Sequence, residues 1–227
     1  SGAQVNPNGV SMINWFFKRA KGFMDVVAYT GTGSGSQNVS HSLGVVPEMM
    51  WLKVRSDQDN WSVYHSSLGN TKRLILNSGS SGSSANSIYF NNTTPTDSVF
   101  TVGSISNAAH TYVAYLFATL AGISKVGSYS GNGINNHVID CGFTAGARFI
   151  LIKRSNGAGD WFMYDSVRGI TSTSNDGLLY LNNTQAQVTE AAATGVDAVR
   201  PHASGFQLDS DNTLNHSELD YIFYAIA

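Results

Sequence analysis

The chain has 227 residues, of which 42% are hydrophobic and only 12% are charged, and its formal net charge is −2. This composition argues against disorder and, because there is no basic excess, against a nucleic-acid-binding surface. The single cysteine, Cys141, excludes an internal disulfide framework. No apolar run approaches the ~20 residues that cross a bilayer, so membrane insertion is not expected, and no signal peptide is visible.

Short segments rich in Val, Ile, Tyr, Phe and Thr alternate along the chain with clusters of Gly, Ser and Asn, which is typical of antiparallel strands and turns. The first of them, Ile13–Arg19, is predicted to be the closing strand of a unit whose beginning is absent. Further strands are predicted near residues 25–30, 37–41, 48–55, 61–66, 73–77, 87–91, 98–103 and 111–119, with counterparts downstream. One short helix is predicted at 186–193. The pattern predicts an all-β fold, an antiparallel β-sandwich or jelly roll.

The second half of the chain repeats the first. NWSVYHSSLG at Asn60–Gly69 matches DWFMYDSVRG at Asp160–Gly169, so that Trp61 corresponds to Trp161. The chain ends on Tyr221–Ala227, YIFYAIA, which is a further copy of the predicted closing strand. A tryptophan present in both copies is more typical of a core residue than of a ligand platform.

We therefore predict two tandem pseudo-symmetric β-sandwich repeats, residues 23–122 and 123–227, that meet through the short connection Thr119–Gly122. Residues 1–22 are predicted to be a linker plus the closing strand of a preceding repeat. Two explanations of that lone strand are open: the chain was cut from a longer repeat array, which we favour, or the strand pairs with the last one.

No catalytic signature is found by spacing. The chain has no G-x-S-x-G elbow, no H-E-x-x-H, no phosphate-binding loop and no C-x-x-C. A glycosidase needs two facing carboxylates, yet no acid is duplicated between the aligned copies. The turn Ser56–Asn60, SDQDN, offers oxygen ligands for Ca²⁺ but lacks their regular spacing. We predict no enzyme activity, no metal site and no cofactor.

Four residues are the candidates for ligand binding. Trp51 and Tyr89 have no aromatic counterpart in the other copy and lie beside polar loops, as residues that stack on a sugar ring would. His65, on the same strand face as Trp61, and Asn86 are the polar candidates. The loops 78–86 and 169–177 are rich in Ser, Gly and Asn, a composition that suits adaptable hydrogen bonding.

Three segments carry a resemblance to a known family: VSHSLGVVPEMM at Val39–Met50, NWSVYHSSLG at Asn60–Gly69 and AGISKVGSYSGNG at Ala121–Gly133. In these segments, and over nearly the whole chain from Gly22, the sequence resembles a repeat domain of tail-fibre and other virion-associated proteins of marine phages, including cyanophages. The second copy departs from the pattern at Cys141–Phe149.

The resemblance implies a β-rich, lectin-like module without assigned catalytic residues, located in the virion and acting outside the cell on the bacterial surface. It implies a receptor-binding role, with a host glycan or an outer-membrane protein as the partner and other tail proteins as neighbours. Two alternatives are a tailspike-type glycan depolymerase and a structural decoration or fibre-spacer domain.

A homotrimer is also predicted, because phage fibres are usually three-fold and because Met12–Phe23 places aromatic residues on both faces of a presumed strand. A half-buried strand needs only one apolar face, so the second face needs another covering surface.

Overall fold

The structure is a computed structural model that describes residues 13–84, 87–172, 176–195 and 197–227. These ranges contain seventeen strands and one short helix: β1 (Met24–Thr30), β2 (Gln37–Ser40), β3 (Met49–Val54), β4 (Ser62–His65), β5 (Lys72–Ile75), β6 (Ser83–Ser84), β7 (Val99–Val102), β8 (Thr111–Phe117), β9 (Ser124–Ser130), β10 (His137–Asp140), β11 (Phe149–Arg154), β12 (Trp161–Asp165), β13 (Gly177–Tyr180), β14 (Val188–Thr189), α1 (Glu190–Thr194), β15 (Val199–His202), β16 (Gly205–Leu208) and β17 (Asp220–Ile226). Within these ranges no helix is long and apolar enough to cross a membrane.

The strands form four antiparallel sheets, which confirms the predicted all-β class. The first sheet has the order β1-β8-β3-β4-β5-β6, and strands β2 and β7 form a separate ribbon. The second sheet has the order β9-β17-β11-β12-β13-β14, and β10-β16-β15 form a three-stranded sheet. The two large sheets thus connect corresponding strands in the same order, whereas β15 and α1 occur in the second half only. Duplication of one ancestral repeat stays a prediction.

The two large sheets pack face to face. Met49 and Phe117 of the first sheet and Leu151 and Tyr224 of the second are buried in one apolar cluster, and the rings of Phe117 and Tyr224 lie 5.0 Å apart. The halves therefore share a broad core in addition to the predicted Thr119–Gly122 connection. Strand alternation predicts two faces but does not identify the partner of each face.

The outer faces of the large sheets are also covered. Met50 and Leu52 pack under the β2-β7 ribbon with Phe100. Ile150 and Ile152 pack under β10-β16-β15 together with Phe206 and Leu208, among others. Burial on both faces explains the continuous apolar runs FILI and WFMY in β11 and β12.

Two predicted strands are wrong within the described residues. Residues 87–91 form turns: Asn91 and Asn92 have φ values of 51° and 50°, a left-handed conformation that asparagine tolerates and that ends a strand. Residues 13–19 form no strand, and the first bridge pairs Ala20 with Met24. The predicted helix at 186–193 forms at Glu190–Thr194, because β14 occupies residues 188–189 and Gly195 (φ 84°) ends the helix.

Candidate functional site

An aromatic cleft opens between the two large sheets, with a cavity volume of about 370 Å³. Its walls come from both sheets and from the segment before β1, and they are almost entirely apolar. The lining residues are Trp15, Phe17, Met24, Trp51, Trp61, Leu76, Asn77, Tyr115, Phe117, Phe149, Met163 and Leu181. We refer to this set as the aromatic cleft.

The strand register brings the tryptophans of the cleft together. Trp51 pairs with Tyr115 across β3 and β8, so both side chains point to the inner face of the first sheet. Trp61 stacks on Tyr115 with ring centroids 6.1 Å apart, and Trp51 packs on Phe117 at 4.7 Å. The result is a row of half-buried aromatic rings along one wall.

Segment 13–19 forms the opposite rim. Trp15 and Phe17 meet the ring of Phe149 edge-on, at 6.4 and 5.7 Å. The Trp15 indole Nε1 donates a hydrogen bond to Asp165 Oδ2 at 3.2 Å. Between them Phe16 points outward and is 92% exposed. The segment therefore presents one aromatic face to the cleft and one to solvent.

The rim of the cleft beside Trp61 is polar. Asn77 Oδ1 accepts a hydrogen bond from the Trp61 backbone N–H at 2.9 Å, and its Nδ2 donates to Asn60 Oδ1 at 3.0 Å. Residues 78–84, the described part of one predicted binding loop, continue directly from this rim. The indole Nε1 of Trp51 is buried and has no hydrogen-bond acceptor within the described ranges. Polar groups thus accompany an otherwise apolar surface.

The four sequence-predicted ligand residues do not converge. Trp51 lines the aromatic cleft. Tyr89 is half-buried on the opposite face of the first sheet, where the Arg73 guanidinium lies 3.9 Å from its ring centroid. His65 is buried between the large sheets, and Asn86 lies outside the described residues.

His65 has a core environment and not a surface one. Its side chain is 1% exposed, and its Nδ1 accepts a hydrogen bond from the Ser67 backbone N–H at 3.3 Å, which places the proton of the neutral ring on Nε2. Burial lowers the pKa of His65 to about 4, so the ring is neutral at pH 7. Contact between His65 and a ligand would require the sheets to separate.

Trp61 is one of the cleft residues that sequence reasoning missed. Its presence in both copies favours a core role, and that role holds for Trp161, which is 1% exposed and donates its Nε1–H to the Ile75 carbonyl at 2.9 Å. Trp61 is only half-buried. The sequence does contain a sign that Trp61 and Trp161 have different surroundings. The neighbouring strand carries Trp51 in the first copy and Leu151 at the corresponding position in the second.

No carboxylate, histidine or cysteine side chain is among the residues that line the aromatic cleft. Acid–base or nucleophilic chemistry at this place would need such groups within hydrogen-bond reach of a substrate. Three carboxylates do converge elsewhere, at Asp176, Glu190 and Asp197, but they are buried on the outer side of the second sheet. The cleft can bind and orient a ligand through ring faces and hydrogen bonds.

Comparison with known proteins gives one match. No curated protein and no solved structure is significantly similar to the chain. One family model, described as a domain of unknown function, matches residues 2–227. Because the match spans nearly the whole chain, the protein belongs to the DUF7483 family.

Proposed function

We propose that this protein is a non-catalytic binding module that recognises carbohydrate on a bacterial cell surface, and that the aromatic cleft is its ligand site. The observation that carries the proposal is the row of half-buried rings formed by Trp51, Trp61 and Tyr115 around a 370 Å³ cavity. Concave, mostly apolar sites with a few placed polar groups are the usual form of small-ligand sites.

Carbohydrate fits this surface better than a purely apolar ligand. The C–H face of a sugar ring packs on an indole or phenol ring, and its hydroxyl groups require hydrogen-bond partners at the edge. Asn60 and Asn77 supply an amide rim, and the adjoining residues 78–82 add Ser and Gly. The buried Trp51 Nε1–H is a donor that a ligand oxygen could satisfy.

The same proposal places the protein in a phage tail fibre, as a homotrimer that contacts other tail proteins. Its support is the resemblance of Val39–Met50 and Asn60–Gly69 to tail-fibre repeats, together with the exposed ring of Phe16 beside the cleft. Phe16 and the exposed Val167 line one groove together with Phe23 and Ile226, and a contiguous exposed apolar patch favours a covering surface on another subunit.

Binding to arrayed bacterial polysaccharides and to whole cells tests the ligand site. We expect Trp61→Ala to weaken binding more than about tenfold, because truncation of a central aromatic contact costs more than ~1.4 kcal/mol. Intrinsic fluorescence of Trp51 and Trp61 should shift when the sugar binds. Tyr89→Ala is the matched control, since this aromatic ring lies on the opposite face of the first sheet and does not line the cleft.

The alternatives give different results in the same assays. Release of reducing ends from the polysaccharide by the wild-type protein would identify a depolymerase. Adsorption only to cells stripped of polysaccharide would identify an outer-membrane protein as the receptor. Adsorption that is equal in wild-type protein and Trp61→Ala, with both correctly folded, would refute the cleft as the site.

A further inference from the structure

Three carboxylates converge on the outer side of the second sheet, well away from the aromatic cleft. Asp176, Glu190 and Asp197 are only 4%, 0% and 7% exposed, and one oxygen atom from each lies within 4.8 Å of the other two. Asp197 pairs with Arg200, whose Nη2 is 3.6 Å from Asp197 Oδ2 while its Nε pairs with Asp209 at 2.5 Å. One shared guanidinium leaves the three buried carboxylates undercompensated.

The fold brings these residues together through strand pairing. Gly177 of β13 pairs with Thr189 of β14, which sets Asp176 beside Glu190, and the Asp176 carbonyl accepts the Glu190 backbone N–H at 2.8 Å. Glu190 Oε1 accepts the Val199 backbone N–H at 2.7 Å. Backbone contacts therefore hold the carboxylates in place before any ligand binds.

Asp176 accepts hydrogen bonds from the Thr171 backbone N–H at 2.5 Å and from the Thr171 hydroxyl at 2.7 Å, whereas the other two carboxylates have oxygen atoms without partners. Glu190 Oε2 and both carboxylate oxygens of Asp197 have no hydrogen-bond partner within the described ranges. A fourth group comes from a different element: the hydroxyl of Tyr164 in β12, a fully buried residue, lies beside Glu190 and makes no hydrogen bond of acceptable geometry there. More than 90% of buried polar groups in proteins are paired, so several unpaired oxygens at one place indicate a missing partner.

We propose that Asp176, Glu190 and Asp197 bind one Ca²⁺ ion, with the Tyr164 hydroxyl beside it. Every atom that the cluster offers as a metal ligand is an oxygen, which hard cations prefer. The cluster contains neither His nor Cys, which are the usual ligands of zinc. Calcium accepts six to eight oxygen ligands in flexible geometry, whereas Mg²⁺ requires a near-ideal octahedron. This inference is independent of the proposed carbohydrate binding.

A shared proton is the competing explanation. Burial, followed by the adjacent Asp197 carboxyl group, raises the pKa of Glu190 to about 9, so without a cation this carboxyl group keeps a proton at pH 7. Such a pair would neutralise part of the charge without a metal. Calcium would displace that proton and also occupy the unpaired oxygens.

The test is thermal unfolding of the full chain, first in chelator and then with 1 mM CaCl₂ or MgCl₂. A ligand at about 100 times its dissociation constant stabilises a protein of this size enough to raise Tm by roughly 5–10 °C. We expect such a shift with Ca²⁺ and one bound ion per chain in calorimetry. No shift with Ca²⁺, or a shift with Mg²⁺ alone, would overturn the assignment.

Variants locate the site. Glu190→Gln keeps the side-chain shape but removes a ligand charge, so the calcium-dependent shift should disappear. Asp57→Asn, in the exposed turn 56–60, is the matched control and should retain it. If Glu190→Gln does not fold, Tb³⁺ luminescence of the wild-type protein decides: Tyr164 should sensitise Tb³⁺, Ca²⁺ should compete, and Tyr164→Phe should lower the emission. Tb³⁺ emission that Ca²⁺ does not displace would count against the site.

Discussion

Trp61 and Trp161 occupy equivalent backbone positions but have different surroundings. The backbone N–H of Trp61 donates to Asn77 Oδ1 at 2.9 Å, and that of Trp161 donates to Asn182 Oδ1 at 2.8 Å. The indole of Trp161 is buried against the opposite sheet, whereas the indole of Trp61 lines the aromatic cleft. A repeated residue therefore preserves its local backbone contacts, while the facing sheet decides whether its side chain serves the core or a site.

The largest expected effect is a difference in stability between these two tryptophans. Trp161→Ala should lower the free energy of unfolding by about 3–5 kcal/mol, because it leaves a cavity between the sheets and removes the bond to the Ile75 carbonyl. Trp61→Ala should cost less than about 2 kcal/mol, since its ring already borders open space. Urea unfolding followed by circular dichroism measures both.

Equal losses for the two variants would contradict the distinction between core and site. Trp161→Phe serves as the control, because it keeps an aromatic ring and removes the indole donor. We expect it to lie between the wild-type protein and Trp161→Ala.

The second prediction concerns the pH dependence of stability that the buried His65 confers. In the folded protein the pKa of the buried His65 is about 4, whereas in the unfolded chain it is about 6.5. Between these values the unfolded state holds more protons, so stability is complete above about pH 6.5 and falls as the pH drops towards 4. The loss should total about 3 kcal/mol.

Urea unfolding at several pH values measures this loss, and His65→Gln provides the control without a titrating ring. The variant should show a shallower decline below pH 6.5 than the wild-type protein. An identical decline in both proteins would show that other groups govern acid sensitivity.

The third comparison sets Gly127 of β9 against Val27 of β1, which occupies the equivalent position. A Cβ atom at Gly127 would lie 2.5 Å from the ring of Phe223, a ring held by Phe206 at 5.4 Å. Gly127→Ala should therefore destabilise the protein by about 1–3 kcal/mol through overpacking. Val27→Ala, which only removes atoms from a half-buried position, is the comparison, and thermal unfolding measures both. An unchanged Tm for Gly127→Ala would contradict the close packing in the structure.

Much of the fold was predictable because period-two alternation is a local property. The strands near 25–30, 37–41 and 98–103 form within one or two residues of the predicted bounds. The strand predicted at 87–91 fails because Phe90 is buried by a turn that Asn91 and Asn92 close. Apolar composition alone does not separate such a turn from a strand.

The candidate sites were less predictable because they depend on contacts between distant segments. Trp51 was predicted from its lack of an aromatic counterpart, but the cleft also needs Trp15 and Phe149, which meet only in the folded protein. Asp176, Glu190 and Asp197 follow no ligand motif, and only the pairing of β13 with β14 and the backbone contact of Glu190 with Val199 bring them together.

The smallest expected effect on stability comes from Phe16, the outward counterpart of the inward Trp15 and Phe17. Its ring is 92% exposed, so Phe16→Ser should change the free energy of unfolding by less than about 0.5 kcal/mol. The same substitution should shift the assembly strongly if this ring packs against another subunit, because the loss of a central aromatic contact weakens an interface several-fold or more.

Sedimentation of the wild-type protein and of Phe16→Ser separates these effects, with Phe17→Ser as the destabilising counterpart that faces the cleft. A monomeric wild-type protein would contradict the homotrimer for this chain. A trimer that survives Phe16→Ser would place the subunit interface away from segment 13–19.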